Sequence, residues 1–283
     1  LIRPGNDILI RDIIQDFKNS GFDGMVIGIS EAMPTLSNIS HDKGIYAHPG
    51  EDIYFNKDYS LVHICDKIII NSEVTLNKLK KIGISFGYKV KILKSLRNTH
   101  DWQNLIIKKF NKTVTKKNKK RILFLHSNFY SNINKYEIKR SLKIANLNRN
   151  LEIGFRPHIR MGKVVNDSEI KYLFKGISNY KVFRNSLTEA LIWSDLCVFY
   201  GSSSAIDALM LNKYTVFLRY GTSNTLDESL TPYVTKCDNP DEFINECSKI
   251  NNMENIYNSN QTFPLEYASE LSEKWFRFFN NKS

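Results

Sequence analysis

The fold turns on residues 196–218, "LCVFYGSSSAIDALMLNKYTVFL". A five-residue apolar run, too short for a helix, meets Gly201 and the three serines Ser202, Ser203 and Ser204. The residues up to Lys213 then read as a short helix, and "YTVFL" is a second apolar run. Two wholly apolar strands joined through a helix are the pattern of a parallel sheet buried on both faces. Gly201 permits a tight turn, and Ser202 or Ser203 would cap the helix, leaving first-turn amides and up to three hydroxyls facing outward. Taken alone, the serines fit a plain helix cap or an anion cradle.

Working outward, the same grammar repeats. "RILFLHS" (121–127), "LEIGFRPH" and "YKVFR" read as strands, and "KYEIKRSLKIANL", "DSEIKYLFKGI" and "SLTEALIWSD" read as the helices between them. The first half follows the same plan. "NDILIRDIIQDFKNSGF" is an amphipathic helix stopped by Gly21, "GMVIGIS" (24–30) a buried strand, and 31–57 has loop character. A strand at Lys67–Asn71, a helix from Ser72 to Gly83 and the strand "YKVKILKSL" follow. The fold class is therefore α/β, with two Rossmann-like domains. The expected boundaries are 1–115, 116–262 and 263–283, the last being the amphipathic helix "LEYASELSEKWFRFFNN". The basic run "KKFNKTVTKKNKKR" (108–121) reads as a solvated linker. A short echo links the halves: "CDKIIINSE" (65–73) and "SDLCVFYGSSS" (194–204) each place an aspartate before an apolar run and a serine after it.

The whole chain has 283 residues and a formal charge of +11, which points to anionic company: a nucleotide, an acidic polymer, an anionic membrane surface or a nucleic acid. The aromatic spacing matches no nucleic-acid recognition module, so nucleic acid is not expected. Cys65, Cys197, Cys237 and Cys247 are far apart, which indicates neither a zinc site nor a disulfide framework and fits a reducing, cytoplasmic setting. No apolar run reaches the length of a spanning helix. A chain that begins at Leu1 reads as a piece of a longer polypeptide or a component of a larger synthase, its N-terminal domain incomplete. Dinucleotide, Walker and nucleophile-elbow motifs are absent, which removes redox, NTP-hydrolysis and serine-hydrolase readings.

In an open parallel sheet, ligands bind beyond the carboxyl ends of the strands. Four loops belong to that edge: "HSNFYSN" with Ser127 and Asn128, "RPHIRMG" with Arg156, His158 and Arg160, "RNSLTE", and "YGSSSA". They are expected to converge. Two cationic side chains and an imidazole beside a serine-capped helix shift the balance toward an anion site.

The combination of "RPH" with "WSDLCVFYGSSSAIDALMLNKYTVFL" about forty residues later resembles the donor-binding domain of GT-B glycosyltransferases of bacterial capsule and lipopolysaccharide synthesis. The resemblance covers residues 120–220. It implies a nucleotide-sugar between two Rossmann-like domains, a serine loop on its phosphate, Asp207 on the ribose hydroxyls, a C-terminal helix crossing back to the first domain, and no metal or other cofactor. The family's usual glycine-proline before the last strand is replaced here by Asn212–Tyr214. Among these enzymes, those using CMP-activated acidic sugars such as Kdo and sialic acid are the most similar, although "RPHI" only partly meets their His-Pro element. For the acceptor side, "SHDKGIYAHPGED" supplies His41 and Asp42 as first candidates for a general base and Glu51 as second.

The expected activity is therefore transfer of a Kdo-like or sialic-like sugar from a CMP donor to a growing surface glycan. The expected location is the cytoplasm, including the inner membrane face. Three alternatives stand beside it: a CDP-glycerol-type transferase, a nucleotide-sugar epimerase on the same fold, and a non-catalytic domain that binds nucleotide or glycan.

Overall fold

The computed structural model describes residues 8–21, 23–29, 65–70, 90–93, 99–110, 119–126, 133–160, 163–164, 167–202, 204–223, 226, 228–252, 263–265 and 267–280. The helix expected from Ser72 to Gly83 lies outside them. The chain divides into two compact units, one of Leu1–Pro34, Ile39–Thr99 and Glu266–Ser283, the other of Thr35–Asn38 and His100–Leu265.

The first unit contains α1 (Ile8–Asn19) and three parallel strands, β1 (Ile27–Ile29), β2 (Lys67–Ile70) and β3 (Val90–Ile92), in that order across the sheet. Gly21 ends the first helix with φ of 91°, a conformation that costs other residues energy. Ile68, Ile69 and Ile70 are fully buried, as expected of a continuous apolar run in a parallel sheet. The C-terminal helix, Ala268–Asn280, groups with this unit and buries Leu271.

The second unit runs α2 (His100–Phe110), β4 (Lys120–Leu125), α3 (Lys135–Leu147), β5 (Leu151–Arg156), β6 (Ile159–Arg160), β7 (Lys163–Val164), α4 (Asp167–Leu173), β8 (Tyr180–Val182), α5 (Leu187–Trp193), β9 (Leu196–Phe199), α6 (Ser204–Met210), β10 (Tyr214–Leu218), β11 (Thr235–Cys237) and α7 (Pro240–Asn252). Six of these strands form one parallel sheet in the order β11-β10-β9-β4-β5-β8. The chain therefore starts in the middle at β4, moves outward through β5 to β8, and returns to β9 on the other side of β4. That reversal opens a crevice at the carboxyl ends of β4 and β9, where doubly wound sheets bind ligands.

Burial explains the strand sequences. Ile122–Leu125, Leu196–Phe199 and Val216–Leu218 are buried without alternation, because helices cover both faces. In α3 the buried residues are Ile138, Ser141, Leu142 and Ala145, one face at helical spacing, and Asn134 caps it by accepting from the N–H groups of Tyr136 and Glu137.

The sequence echo has a physical counterpart. Asp195 Oδ2 accepts from the Arg121 N–H at 2.8 Å, and its own N–H donates to the Arg121 carbonyl at 2.8 Å. In the first unit Asp66 does the same to Val26, at 2.7 and 2.8 Å. Each aspartate clips the start of the neighbouring parallel strand, so it fixes register where the sheet begins.

Several expectations change. The helices of ten to fifteen residues expected between strands are only seven residues long in α4, α5 and α6. The last of these stops before Lys213 because Asn212 takes a left-handed φ of 52°, with Lys213 N–H bonding the Ala208 carbonyl and Asn212 N–H that of Leu209. Asparagine here does what the missing glycine would do. Lys108 and Lys109, read as linker, form the last turn of α2. That helix has an inverted pattern: Gln103 is buried while Trp102, Leu105 and Ile107 are exposed. The structure adds β11 and α7, two elements beyond those expected. All four cysteines are buried.

Candidate functional site

Leu125, the last residue of β4, pairs with Arg156 of β5 on one side and Phe199 of β9 on the other. The residues that follow, His126, Pro157 and Tyr200, therefore leave the sheet side by side at the point where strand order reverses. His126 and Pro157 border a pocket of about 140 Å³ lined by Leu125, His126, Arg156, Pro157, His158, Leu187, Ser202 and Ser204. All four loops singled out in the sequence contribute to it. Its volume is below the ~300–1,000 Å³ of sites that enclose a whole small ligand, so it suits a phosphate-sized group.

Arg156 is anchored. Its Nη1 donates to the carbonyls of Pro157 and Phe183, both at 3.1 Å, and of Arg184 at 3.3 Å, which ties the end of β5 to the end of β8. Its Nε is buried and has no hydrogen-bond partner among the described residues, and burial lowers the guanidinium pKa from its usual value. A buried donor left unmatched costs about 1–3 kcal/mol, a debt that an anionic ligand would cancel.

His158 is half-buried on the same wall. Ser202 is 4% exposed, and its Oγ accepts from the Ser204 N–H at 3.3 Å, so it is the residue that caps α6. Ser204 lines the pocket beside it. Asp207 stands half-buried in the first turn of α6, and Gly201 half-buried in the loop, but neither lines the pocket. Within "RPHIRMG", Ile159 and Arg160 form β6, which pairs antiparallel with β7 so that Arg160 stands opposite Lys163; the Arg160 side chain lies outside the description. Ser127, Asn128, Ser203, His41, Asp42 and Glu51 lie outside the described residues altogether. Among the described residues no cluster of His, Cys, Asp and Glu is placed to hold a metal, and no helix is long and apolar enough to cross a membrane.

Two residues were missed by sequence reasoning. His126 is 2% exposed, with its backbone N–H donating to the Arg156 carbonyl at 3.0 Å and its ring 5.1 Å from that of Phe155. Tyr200 is fully buried, and its hydroxyl makes a short hydrogen bond with His126 Nδ1. Burial, then His158, then Lys135 push the His126 pKa from 6.5 down to about 3, so the ring is neutral at physiological pH. Burial raises the Tyr200 phenol well above its usual value. The available signal was positional: each is the first residue beyond a strand that flanks the reversal.

No protein-family model matches the sequence, and no curated protein matches it. Solved structures do match in fold. A UDP-GlcNAc 2-epimerase from Methanocaldococcus jannaschii, in complex with UDP-GlcNAc and UDP, superposes with a TM-score of 0.57 at 16% identity over 96% of this chain and 79% of that one. S. aureus MnaA with UDP gives 0.60 at 12% identity over 96% and 80%. The wall teichoic acid polymerase TagF gives 0.51 at 13% identity over 90% of this chain and 64% of its own. At these identities the likeness is one of fold, and these neighbours share the GT-B fold. With parallel α/β sheets in both units and a doubly wound order in the second, this chain has that fold too.

Proposed function

We propose that the chain is a nucleotide-sugar or nucleotide-polyol enzyme of surface-polymer synthesis, with the phosphate of its donor seated in the pocket at the ends of β4, β5 and β9. The observation that carries this is a pocket whose polar lining, among the described residues, is Arg156, His126, His158, Ser202 and Ser204. Every polar side chain among these described residues can donate a hydrogen bond, and none of them is a carboxylate. As the bond to the nucleotide breaks, negative charge grows on the leaving phosphate; pre-aimed donors in a partly dry site stabilise it. Arg160, Ser127, Asn128, Gly201 and Ser203 are assigned to donor binding and Asp207 to the ribose. His41, Asp42 and Glu51 of the first unit are assigned to the acceptor.

The choice of donor follows the fold neighbours. A UDP-sugar epimerase and a teichoic acid polymerase support the CDP-glycerol-type transferase and epimerase readings better than transfer from a CMP-activated acidic sugar. Thermal-shift titration with UDP, CDP, CMP and GDP tests the site: a diphosphonucleoside is expected to stabilise the wild type and to lose that effect in Arg156→Ala. Incubation with UDP-GlcNAc and with CDP-glycerol plus acceptor then separates the two chemistries. Equal melting temperatures with and without every nucleotide would sink the proposal.

A further inference from the structure

His126 and Tyr200 lie opposite each other because β4 and β9 are in register, with Leu125 beside Phe199 immediately before them. A neutral imidazole carries one donor and one acceptor nitrogen, and the partner of one nitrogen decides which is which. The Tyr200 hydroxyl has no water to turn to, since the residue is 0% exposed. Its proton needs an acceptor, and among the described residues Nδ1 of His126 is the one within reach. Were Nδ1 instead the donor, the buried tyrosine proton would be left unsatisfied, at a cost comparable to a lost hydrogen bond. The rings meet edge-on, with centroids 5.6 Å apart, and Phe155 holds the imidazole from its other neighbour strand at 5.1 Å.

We propose that Tyr200 is a positioning residue: by donating its hydroxyl proton to Nδ1, it fixes His126 as the neutral Nε2–H tautomer, which serves the pocket as a hydrogen-bond donor to the ligand phosphate. The donor role rests on the phosphate reading of the pocket, whereas the tautomer does not. In the opposite tautomer a lone pair would face the anion and repel it. Among the described residues, the charged or titratable groups around the ring are His158 beyond β5, Arg156 at the end of β5, Lys135 at the start of α3 and Tyr200 itself, and none of these is a carboxylate that would favour a protonated ring. His126 is thus a donor that does not switch with pH, beside a histidine, His158, that stands half-buried.

Two measurements test this. Long-range 15N–1H correlation spectra of the ligand-free protein, with the His126 signals identified by comparison with His126→Gln, are expected to show an unprotonated Nδ1 and a protonated Nε2 from pH 6 to 8. In Tyr200→Phe the same spectra should show a mixture of tautomers. Binding of CDP or UDP should weaken on the order of threefold to tenfold in Tyr200→Phe, the worth of one neutral hydrogen bond, and more in His126→Ala than in His126→Gln, whose amide keeps a donor. A protonated Nδ1 in the wild type overturns the proposal while nucleotide binding leaves the site assignment standing. The expected tautomer with no binding of any nucleotide overturns the donor role and the site assignment together. Wild-type binding that strengthens tenfold from pH 8 to 6 in step with His126 titration also refutes it.

Discussion

Lowering the pH should destabilise the second unit through His126. The unfolded chain's imidazole takes a proton near 6.5, while in the folded protein burial, aided by His158 and Lys135, holds the pKa at about 3. Between those values the unfolded state binds more protons than the folded one, so stability rises with pH and is lost as pH falls from 6.5 toward 3. The side chain is 2% exposed, so solvent screening takes little away. Each pH unit inside the window is worth ~1.4 kcal/mol; from pH 7 to pH 5 the loss is about 2 kcal/mol, and over the whole window about 5. The assay is urea unfolding at pH 7, 6 and 5, followed by tryptophan fluorescence. Trp193 reports the second unit directly, its ring lying 5.0 Å from Phe183 and 5.1 Å from the Arg121 guanidinium. Other groups titrate as well, so the quantity to compare is the pH dependence of the wild type minus that of His126→Gln. A difference of about 2 kcal/mol between pH 7 and 5 is expected. Parallel pH curves for the two proteins would mean that His126 titrates at its ordinary value and that the reasoning from burial is wrong.

Other substitutions probe the scaffold. Gly154→Ala would bring a Cβ within 2.4 Å of Trp193 Cζ3 and 3.1 Å of Leu123 Cδ1, so a loss of about 1–3 kcal/mol in chemical denaturation is expected; an unchanged midpoint would show that Trp193 yields freely. Asp195→Ala removes the charged acceptor of the Arg121 N–H and should cost about 1.5–3 kcal/mol, read from the urea midpoint, with Asp66→Ala acting likewise on the first unit. Ser202→Ala removes the α6 cap, at about 1 kcal/mol by thermal or urea unfolding, and should weaken nucleotide binding as well. Burial drives the Cys197 thiol up to about 11 and those of Cys237 and Cys247 up to about 12, so a thiol reagent at pH 8 should label these three only after unfolding.

Much of the second unit was legible because its strands are unbroken apolar runs and its helices begin at recognisable caps. Lys135–Leu147 and Tyr214–Leu218 match the expected elements residue for residue. Where reading failed, local pattern and burial disagreed. In α2 Trp102 is outside and Gln103 inside, the glutamine Nε2 donating to Met210 Sδ at 3.6 Å, a pairing invisible to a hydropathy count. The missed α7 is a different case, since its signal was present. Asn239 accepts from the Glu242 N–H at 3.0 Å, Glu242 accepts from the Asp238 N–H at 2.7 Å, and Pro240 opens the helix, so "DNPDE" was a readable start.

What the amino-acid order determined by itself is local: where strands, caps and turns fall, which loops leave the carboxyl edge, and that an arginine and histidine loop shares that edge with a serine-capped helix. Only tertiary structure decided which of those residues meet. Strand order placed β4 between β5 and β9, and register then set His126 against Tyr200, although 74 residues separate them. The same packing buried the imidazole and turned one end of Arg156 toward backbone carbonyls, leaving its Nε buried without a hydrogen-bond partner among the described residues. Hydrogen-bond partners and desolvation depend on neighbours distant in sequence, and no local pattern encodes them.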